Sequence, residues 1–224
     1  IMGDKYGNVV HLGERECSIQ RRNQKVIEES PSPFVKEDTR KKMLKVAVEA
    51  CKKIGYYSAG TLEFMMDKDQ NFYFLEMNTR LQVEHPVTEE CTGVDLVRDM
   101  ITVAAGNPLP YKQDDIQFSG AAIECRIYAE DPENNFIPSP GVITVREAPE
   151  GRNLRLDSAA YAGFEVSLHY DPMIAKLCCW GRTRASAISN MARALREYKI
   201  LGIKTTIPFH QRVLKNAAFL KGEY

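Results

Sequence analysis

Apolar residues return at helical spacing in a first stretch, Met43, Val46, Ala47, Ala50, Cys51 and Ile54, and Gly55 supplies a natural stop. A second helix is predicted over about 92–105. Val94, Val97, Met100, Ile101 and Ala104 make its apolar side, with Leu96 beside them, and Asp95, Arg98 and Asp99 make its polar side. Gly106-Asn107-Pro108 ends it. Elsewhere the period shortens. Residues 1–20 suggest short strands joined at Gly3-Asp4 and Gly7-Asn8, and 60–66 with 72–78 read as two strands around the polar loop Asp67–Asn71. Ser30-Pro31-Ser32-Pro33 is a connector, and Pro108, Pro110 and the run Lys112–Asp115 place a boundary near 107–119. Strands are expected beyond it at about 121–129, 141–146, 154–158 and 173–180, then helices near 184–199 and 208–219. This order predicts an α+β fold of mainly antiparallel sheet flanked by helices.

Polar and apolar residues alternate from Glu76 to Pro86. On an extended backbone Glu76, Asn78, Arg80, Gln82 and Glu84 share one face, and Leu75, Met77, Thr79, Leu81 and Val83 take the other. A half-buried strand commonly has one polar face, so alternation alone carries no function. Pairing across a four-residue loop, Lys68 to Asn71, sets Glu63 opposite Glu76. Like charges directly opposite destabilise a sheet. Either both face water, or a hard cation turns repulsion into coordination; with Asn78 nearby, the oxygen set suits Mg²⁺ or Mn²⁺.

Composition narrows the field. Thirty basic and thirty acidic residues cancel, which argues against nonspecific nucleic-acid binding. No apolar run reaches the ~20 residues that span a bilayer, so neither nucleic acid nor membrane is an expected partner. Cys17, Cys51, Cys91, Cys125, Cys178 and Cys179 fall in no CxxC spacing, and four histidines form no zinc pattern; reduced, buried thiols in a cytosol-like compartment are expected. The opening Ile1-Met2-Gly3-Asp4 reads as a fragment start with no signal peptide. The runs Arg40-Lys41-Lys42 and Lys52-Lys53 are expected to be a solvated face.

Six ordered segments carry a family resemblance: Glu16-Cys-Ser-Ile-Gln-Arg-Arg-Asn-Gln-Lys25, Gly60-Thr-Leu-Glu-Phe64, Glu76-Met-Asn-Thr-Arg-Leu-Gln-Val-Glu-His-Pro-Val-Thr-Glu89, Glu124-Cys-Arg-Ile-Tyr-Ala-Glu-Asp-Pro132, Pro138-Ser-Pro-Gly141 and Tyr170-Asp-Pro-Met-Ile-Ala-Lys176. Together they resemble the biotin carboxylases, ATP-grasp ligases of the acetyl- and propionyl-CoA carboxylases, over nearly the whole chain. The resemblance implies that 1–113 is the carboxyl-terminal part of an ATP-grasp domain and 114–224 the biotin carboxylase C-terminal domain. The activity implied is carboxylation of biotin on a carrier protein, using MgATP and bicarbonate through carboxyphosphate.

Residue by residue, the resemblance implies a metal set of Glu63, Glu76 and Asn78, holding two Mg²⁺ or Mn²⁺ ions. Gln20, Met65, Leu75, Glu63 and Glu76 match ATP contacts, although Met65 and Leu75 could equally be ordinary core. Lys25, Arg80, Gln82 and the backbone at Val83 match bicarbonate-binding groups, a guanidinium being well suited to a planar oxyanion. Glu84 matches the general base, Arg80 stays near the carboxyphosphate, and Arg126 matches the group facing the ureido oxygen of biotin. Arg21 and Arg22 stay unassigned, His85 and Tyr56-Tyr57 are read as structural, and Asp171 with Lys176 suits a fold-maintaining ion pair.

Two partners are implied by the same resemblance: a biotin carboxyl carrier protein or domain, and a carboxyltransferase subunit. It further implies a homodimeric parent with its contact surface near Arg155, a role in fatty acid metabolism, and a cytoplasmic site (the mitochondrial matrix in a eukaryote). Asn23 departs from the histidine common in the family. No glycine-rich phosphate loop occurs and much of the nucleotide site is missing, so the isolated fragment is expected to be inactive; no Ala-Met-Lys-Met biotinylation motif occurs, so the chain is not expected to carry biotin itself. The alternatives are an assembly module and another ATP-grasp ligase of the carbamoyl-phosphate synthetase type.

Overall fold

The computed structural model describes residues 1–224. In chain order come strands β1 (Met2–Gly3), β2 (Val9–Val10), β3 (Glu16–Arg21) and β4 (Gln24–Ser30), helix α1 (Glu37–Lys53), strands β5 (Ser58–Ala59), β6 (Thr61–Met66) and β7 (Phe72–Asn78), and helices α2 (His85–Thr92) and α3 (Leu96–Ala104). There follow β8 (Ala121–Tyr128), β9 (Glu130–Asp131), β10 (Ile137–Pro138), β11 (Gly141–Val142), β12 (Val145–Glu147), β13 (Leu154–Ser158), β14 (Glu165–Val166) and β15 (Met173–Gly181). Helix α4 (Arg184–Glu197), strand β16 (Lys199–Leu201) and helices α5 (Ile207–Val213) and α6 (Ala217–Lys221) close the chain. The pairings β1–β2, β1–β5, β6–β7, β8–β15 and β13–β15 are antiparallel, and the class is α+β. No helix is long and apolar enough to cross a membrane. Two compact units form: residues 1–16 with 30–119, and residues 17–29 with 120–224.

The first unit holds the sheet β2-β1-β5, the β6–β7 hairpin and three helices around Met2, Val10, Leu12, Ala59, Leu96, Val103 and Leu109. Helix α1 carries Glu37 and Asp38 in its first turn and Lys52 and Lys53 in its last, the charge order that suits its dipole. It buries Met43, Ala47 and Cys51, while Val46 and Ile54 lie exposed. Arg40 corrects the expectation of a wholly solvated basic face. It turns back to Glu14 (2.9 Å), Glu37 (2.7 Å) and the carbonyls of Ser32 and Val35, because those acceptors lie beside the first turn.

The predicted helix 92–105 begins later and is preceded by another. Pro86 is tolerated in the first turn of a helix and starts α2. Gly93, at φ 71°, ends α2 with a left-handed cap, and Asp95 then caps α3 by accepting from the Arg98 amide at 2.9 Å. The predicted helix 208–219 is likewise two helices, divided where Asn216 accepts from the Ala218 amide at 2.9 Å. Tyr57 is half exposed under Lys5, not packed; only Tyr56 is tied in, donating to the Ala59 carbonyl at 2.8 Å.

The second unit is built on a sheet ordered β13-β15-β8-β4-β3. Every residue of β8 is buried, and α4 lies against β8 and β15 with Ala187, Met191, Ala194 and Leu195 in the core. At the end of β15 a Cβ on Gly181 would stand 2.3 Å from Ser186 Oγ and 2.4 Å from the Ala187 nitrogen, so only glycine lets strand and helix approach this closely. All six cysteines are free; five are buried and Cys17 is half-buried. Lys176 pairs with Asp157 at 3.4 Å, and Asp171 accepts from the Met173 amide at 2.8 Å.

His210 is fully buried, and its Nε2–H donates to the Arg126 carbonyl at 2.7 Å, which leaves Nδ1 without a partner. Burial pushes its pKa down to about 4. The unfolded chain therefore binds this proton first, and stability is lost as pH falls from about 6.5 towards 4. By linkage the loss is on the order of 3 kcal/mol. Denaturant titrations between pH 7 and 4.5 should show this slope, and His210→Gln should flatten it. An unchanged slope in that variant would exclude His210 as its source.

Candidate active site

The hairpin β6–β7 sets Glu63 directly opposite Glu76, as pairing across a four-residue loop predicted, but by another route. The loop between the strands has five residues, 67–71, not four. Asp67 closes it: its amide donates to the Asn71 carbonyl (3.0 Å) and its carboxylate accepts from Asp69 and Asn71. Those hydrogen bonds, the Asn71 side chain first, hold the Asp67 carboxyl below its usual range. The longer loop pairs Met66 with Phe72 and Phe64 with Phe74, a frame that would leave Glu63 facing Leu75. A β-bulge between Glu63 and Phe64 steps over Leu75 and restores the pair.

Amide groups gather around the two carboxylates. Asn78 Nδ2 donates to Glu63 Oε1 (3.1 Å) and Glu76 Oε1 (3.0 Å), and Gln82 Nε2 donates to Glu63 Oε1 at 2.9 Å. Arg80 reaches Asn78 Oδ1 at 3.2 Å and the Leu81 carbonyl at 3.3 Å, its side chain otherwise exposed. Met65 and Leu75 are 62% and 57% exposed, which removes the ordinary core reading for both.

The extended segment predicted for 76–84 stops at Asn78. Beyond it the chain turns: the His85 amide donates to the Gln82 carbonyl at 3.2 Å, and Glu84 becomes the N-cap residue of α2. A common face for all five polar residues is thereby corrected; the cause is the helix that Pro86 begins. Glu84 and Gln82 are 2% and 6% exposed, Val83 is half-buried, and His85 Nδ1 lies 3.1 Å from Glu89 Oε2, the structural place expected.

No cluster of three or more His, Cys, Asp or Glu side chains is arranged to hold a metal. What Glu63, Glu76 and Asn78 offer is smaller: two facing carboxylates and one amide. The amide N–H groups now offset a repulsion that a cation would also offset, and the carboxylate oxygens are hard donors of the kind Mg²⁺ takes.

In the second unit Arg22 and Asn23 form the two-residue turn between β3 and β4, both left-handed at φ 50° and 64°. That gives Asn23 a structural account, since asparagine tolerates this conformation better than most residues. Gln20 is exposed and donates to the Cys17 carbonyl at 2.9 Å; Lys25 is half-buried. Arg21 pairs with Glu130 at 2.6 Å and lies over the Phe136 ring. Arg126, from the middle of β8, pairs with the wholly buried Glu28 through Nε at 2.6 Å. Arg155 pairs with Asp157 at 2.9 Å.

Comparison with known families accounts for nearly every residue. Residues 1–112 match the carbamoyl-phosphate synthase L chain, ATP binding domain, and residues 124–224 match the biotin carboxylase C-terminal domain. The chain belongs to the biotin carboxylase family of ATP-grasp proteins. It is 54% identical over its whole length to biotin carboxylase 1 of Bacillus subtilis, covering 50% of that protein. Over 99% of its length it is also 54% identical to the biotin carboxylase of a Nostoc species, again covering 50%.

The crystal structure of the biotin carboxylase subunit of pyruvate carboxylase superposes with a TM-score of 0.97 at 52% identity, covering all of this chain and 49% of that one. A biotin carboxylase domain of a thermophilic 2-oxoglutarate carboxylase bound to bicarbonate gives 0.97 at 51%, covering 100% and 50%. The chain thus spans about half the length of the biotin carboxylases it matches.

One residue of this site carries no mark in the sequence. Arg15 donates to Gln82 Oε1 (2.6 Å), Thr61 Oγ1 (3.0 Å) and Thr88 Oγ1 (3.0 Å). It stands one position before a family segment, and no local periodicity points to it. Its partners come from three separate stretches of chain.

Proposed function

We propose that the parent protein carboxylates biotin on a carrier protein or domain, using MgATP and bicarbonate, and that this chain supplies one part of its site. The observation that carries the reading is the Glu63–Glu76 pair, bridged by Asn78 and with Gln82 donating to Glu63, within a chain whose two halves match family domains. Glu63, Glu76 and Asn78 take two divalent ions, Mg²⁺ or Mn²⁺, which when bound neutralise charge at the nucleotide phosphates. Glu63 and Glu76, with the exposed Met65 and Leu75 and with Gln20, serve as ATP contacts.

Arg80, Gln82 and the Val83 backbone bind bicarbonate, and Lys25 carries the same assignment. Glu84 takes the proton of bicarbonate, whose oxygen then attacks the γ-phosphate to give carboxyphosphate and ADP. Carboxyphosphate collapses to CO₂ and phosphate, and the phosphate takes the N1 proton of biotin as N1 attacks CO₂. Arg80 stays by the carboxyphosphate, and Arg126 stabilises the charge that develops on the ureido oxygen.

A structural relative described as a biotin carboxylase domain dimer with MgADP, ADP and bicarbonate supports the nucleotide, the ion, the anion and a homodimeric parent. The extents of the two family matches support domains at 1–113 and 114–224, although residues 17–29 fold within the second compact unit, and the second match favours this reading over a carbamoyl-phosphate synthetase. A carboxyltransferase partner, a role in fatty acid metabolism and a cytoplasmic site belong to the same proposal. The test compares the chain with its full-length parent. The parent should hydrolyse ATP in a bicarbonate-dependent way and carboxylate biotin, and the chain alone should do neither. Bicarbonate-dependent hydrolysis by the chain alone would refute the division of the site.

A further inference from the structure

We propose that Arg15 is a positioning residue that fixes the amide of Gln82 with its N–H groups towards the bicarbonate; this rests on the reading of Gln82 as a bicarbonate ligand. A guanidinium carries donors and no acceptor. Whatever Gln82 presents to Arg15 must therefore be its oxygen, and Oε1 accepts from Arg15 Nη2 at 2.6 Å. Once Oε1 is committed, Nε2 has to point the other way, and it donates to Glu63 Oε1 at 2.9 Å. An amide nitrogen carries two N–H groups, so one remains available to an oxyanion after Glu63 has taken the first.

Reversed, the amide would aim its oxygen at the Glu63 carboxylate and at the anion, and both contacts would be repulsive. Gln82 is only 6% exposed, so water cannot take over the role of Arg15. Thr61 accepts from the same Nη2 and Thr88 from Nη1, each at 3.0 Å, so two more acceptors fix Arg15 itself. All three of these acceptors are neutral. The positive charge of Arg15 is not consumed in an ion pair with them, and it polarises the Gln82 amide, strengthening the N–H groups as donors.

The test uses the full-length parent and reads KM for bicarbonate against KM for ATP in bicarbonate-dependent ATP hydrolysis. Arg15→Met should raise the bicarbonate KM roughly 10-fold, the effect of losing one good charge-assisted hydrogen bond, and leave the ATP KM nearly unchanged. Arg15→Lys, which keeps a donor but not the fork, should fall between the two. In a Gln82→Ala background Arg15→Met should add nothing. A parallel rise in both KM values, or an additive effect in the double variant, would show a merely structural role and overturn the proposal. If Arg15→Met does not fold, Arg15→Lys decides alone: an unchanged bicarbonate KM overturns it. Should Gln82→Ala leave the bicarbonate KM unchanged, the reading of Gln82 fails first and the role of Arg15 with it.

Discussion

Glu84→Gln in the full-length parent should lower carboxybiotin formation by at least about 100-fold, the low end of what a positioned general base contributes. Glutamine keeps the volume of a side chain that is only 2% exposed, so packing at the head of α2 survives while the proton acceptor is lost. Arg80→Ala belongs to the same experiment. Its side chain is exposed and its contacts run to Asn78 and Leu81, so its removal should not disturb the fold, and the loss should fall on turnover. Carboxybiotin assays with circular dichroism on each variant read both effects. Near-normal turnover in either one would remove that residue from its assigned role.

The largest stability effect is expected at Arg184→Ala. Glu29, 2% exposed, receives two of the Arg184 donors at 2.6 and 3.0 Å and also the Tyr224 hydroxyl. The same guanidinium donates to the carbonyls of Phe219 and Leu220 and lies over the Phe219 ring. Its removal strands a buried carboxylate and unties α6, at a cost of about 3–5 kcal/mol. A charge pair is replaceable where a half-pair is not, so Glu29→Met with Arg184→Met should recover much of the loss. Urea unfolding of the parent chain, the single variants and the double variant separates these outcomes. A double variant as unstable as Arg184→Ala would mean that the ion pair itself, rather than the orphaned charge, holds this end of the chain.

Much of the fold was legible in the sequence because it depends on short-range periodicity. Helix α1, strands β8 and β15 and the stop at Gly55 follow from spacing that neighbouring residues enforce, whereas the facing of Glu63 and Glu76 also needs a bulge that spacing does not show. The differences have a common physical origin. A strand and the first turn of a helix both accept Glu84-His85-Pro86, and only the turn after Asn78 decides between them. Arg15 gives no local sign of its role because its acceptors Thr61, Gln82 and Thr88 lie far away in sequence, and Arg40 shows Glu37 nearby but not its distant partner Glu14. The roles of individual residues in the site came from family resemblance; periodicity gave the polar face, and the structure assigned its hydrogen bonds.

The bulge at Leu75 makes the hairpin behave like a vernier. When the tip takes one residue from the ladder the frame shifts by one step, and slipping one residue out at the bulge shifts it back, so the tip can vary in length while the two glutamates stay face to face. Twelve residues, 64–75, lie between the carboxylates whether a tip of four has no bulge or a tip of five has one, so tip length alone is a poor guide to a related site. An alignment gap that falls in such a hairpin belongs at the bulge as readily as at the tip.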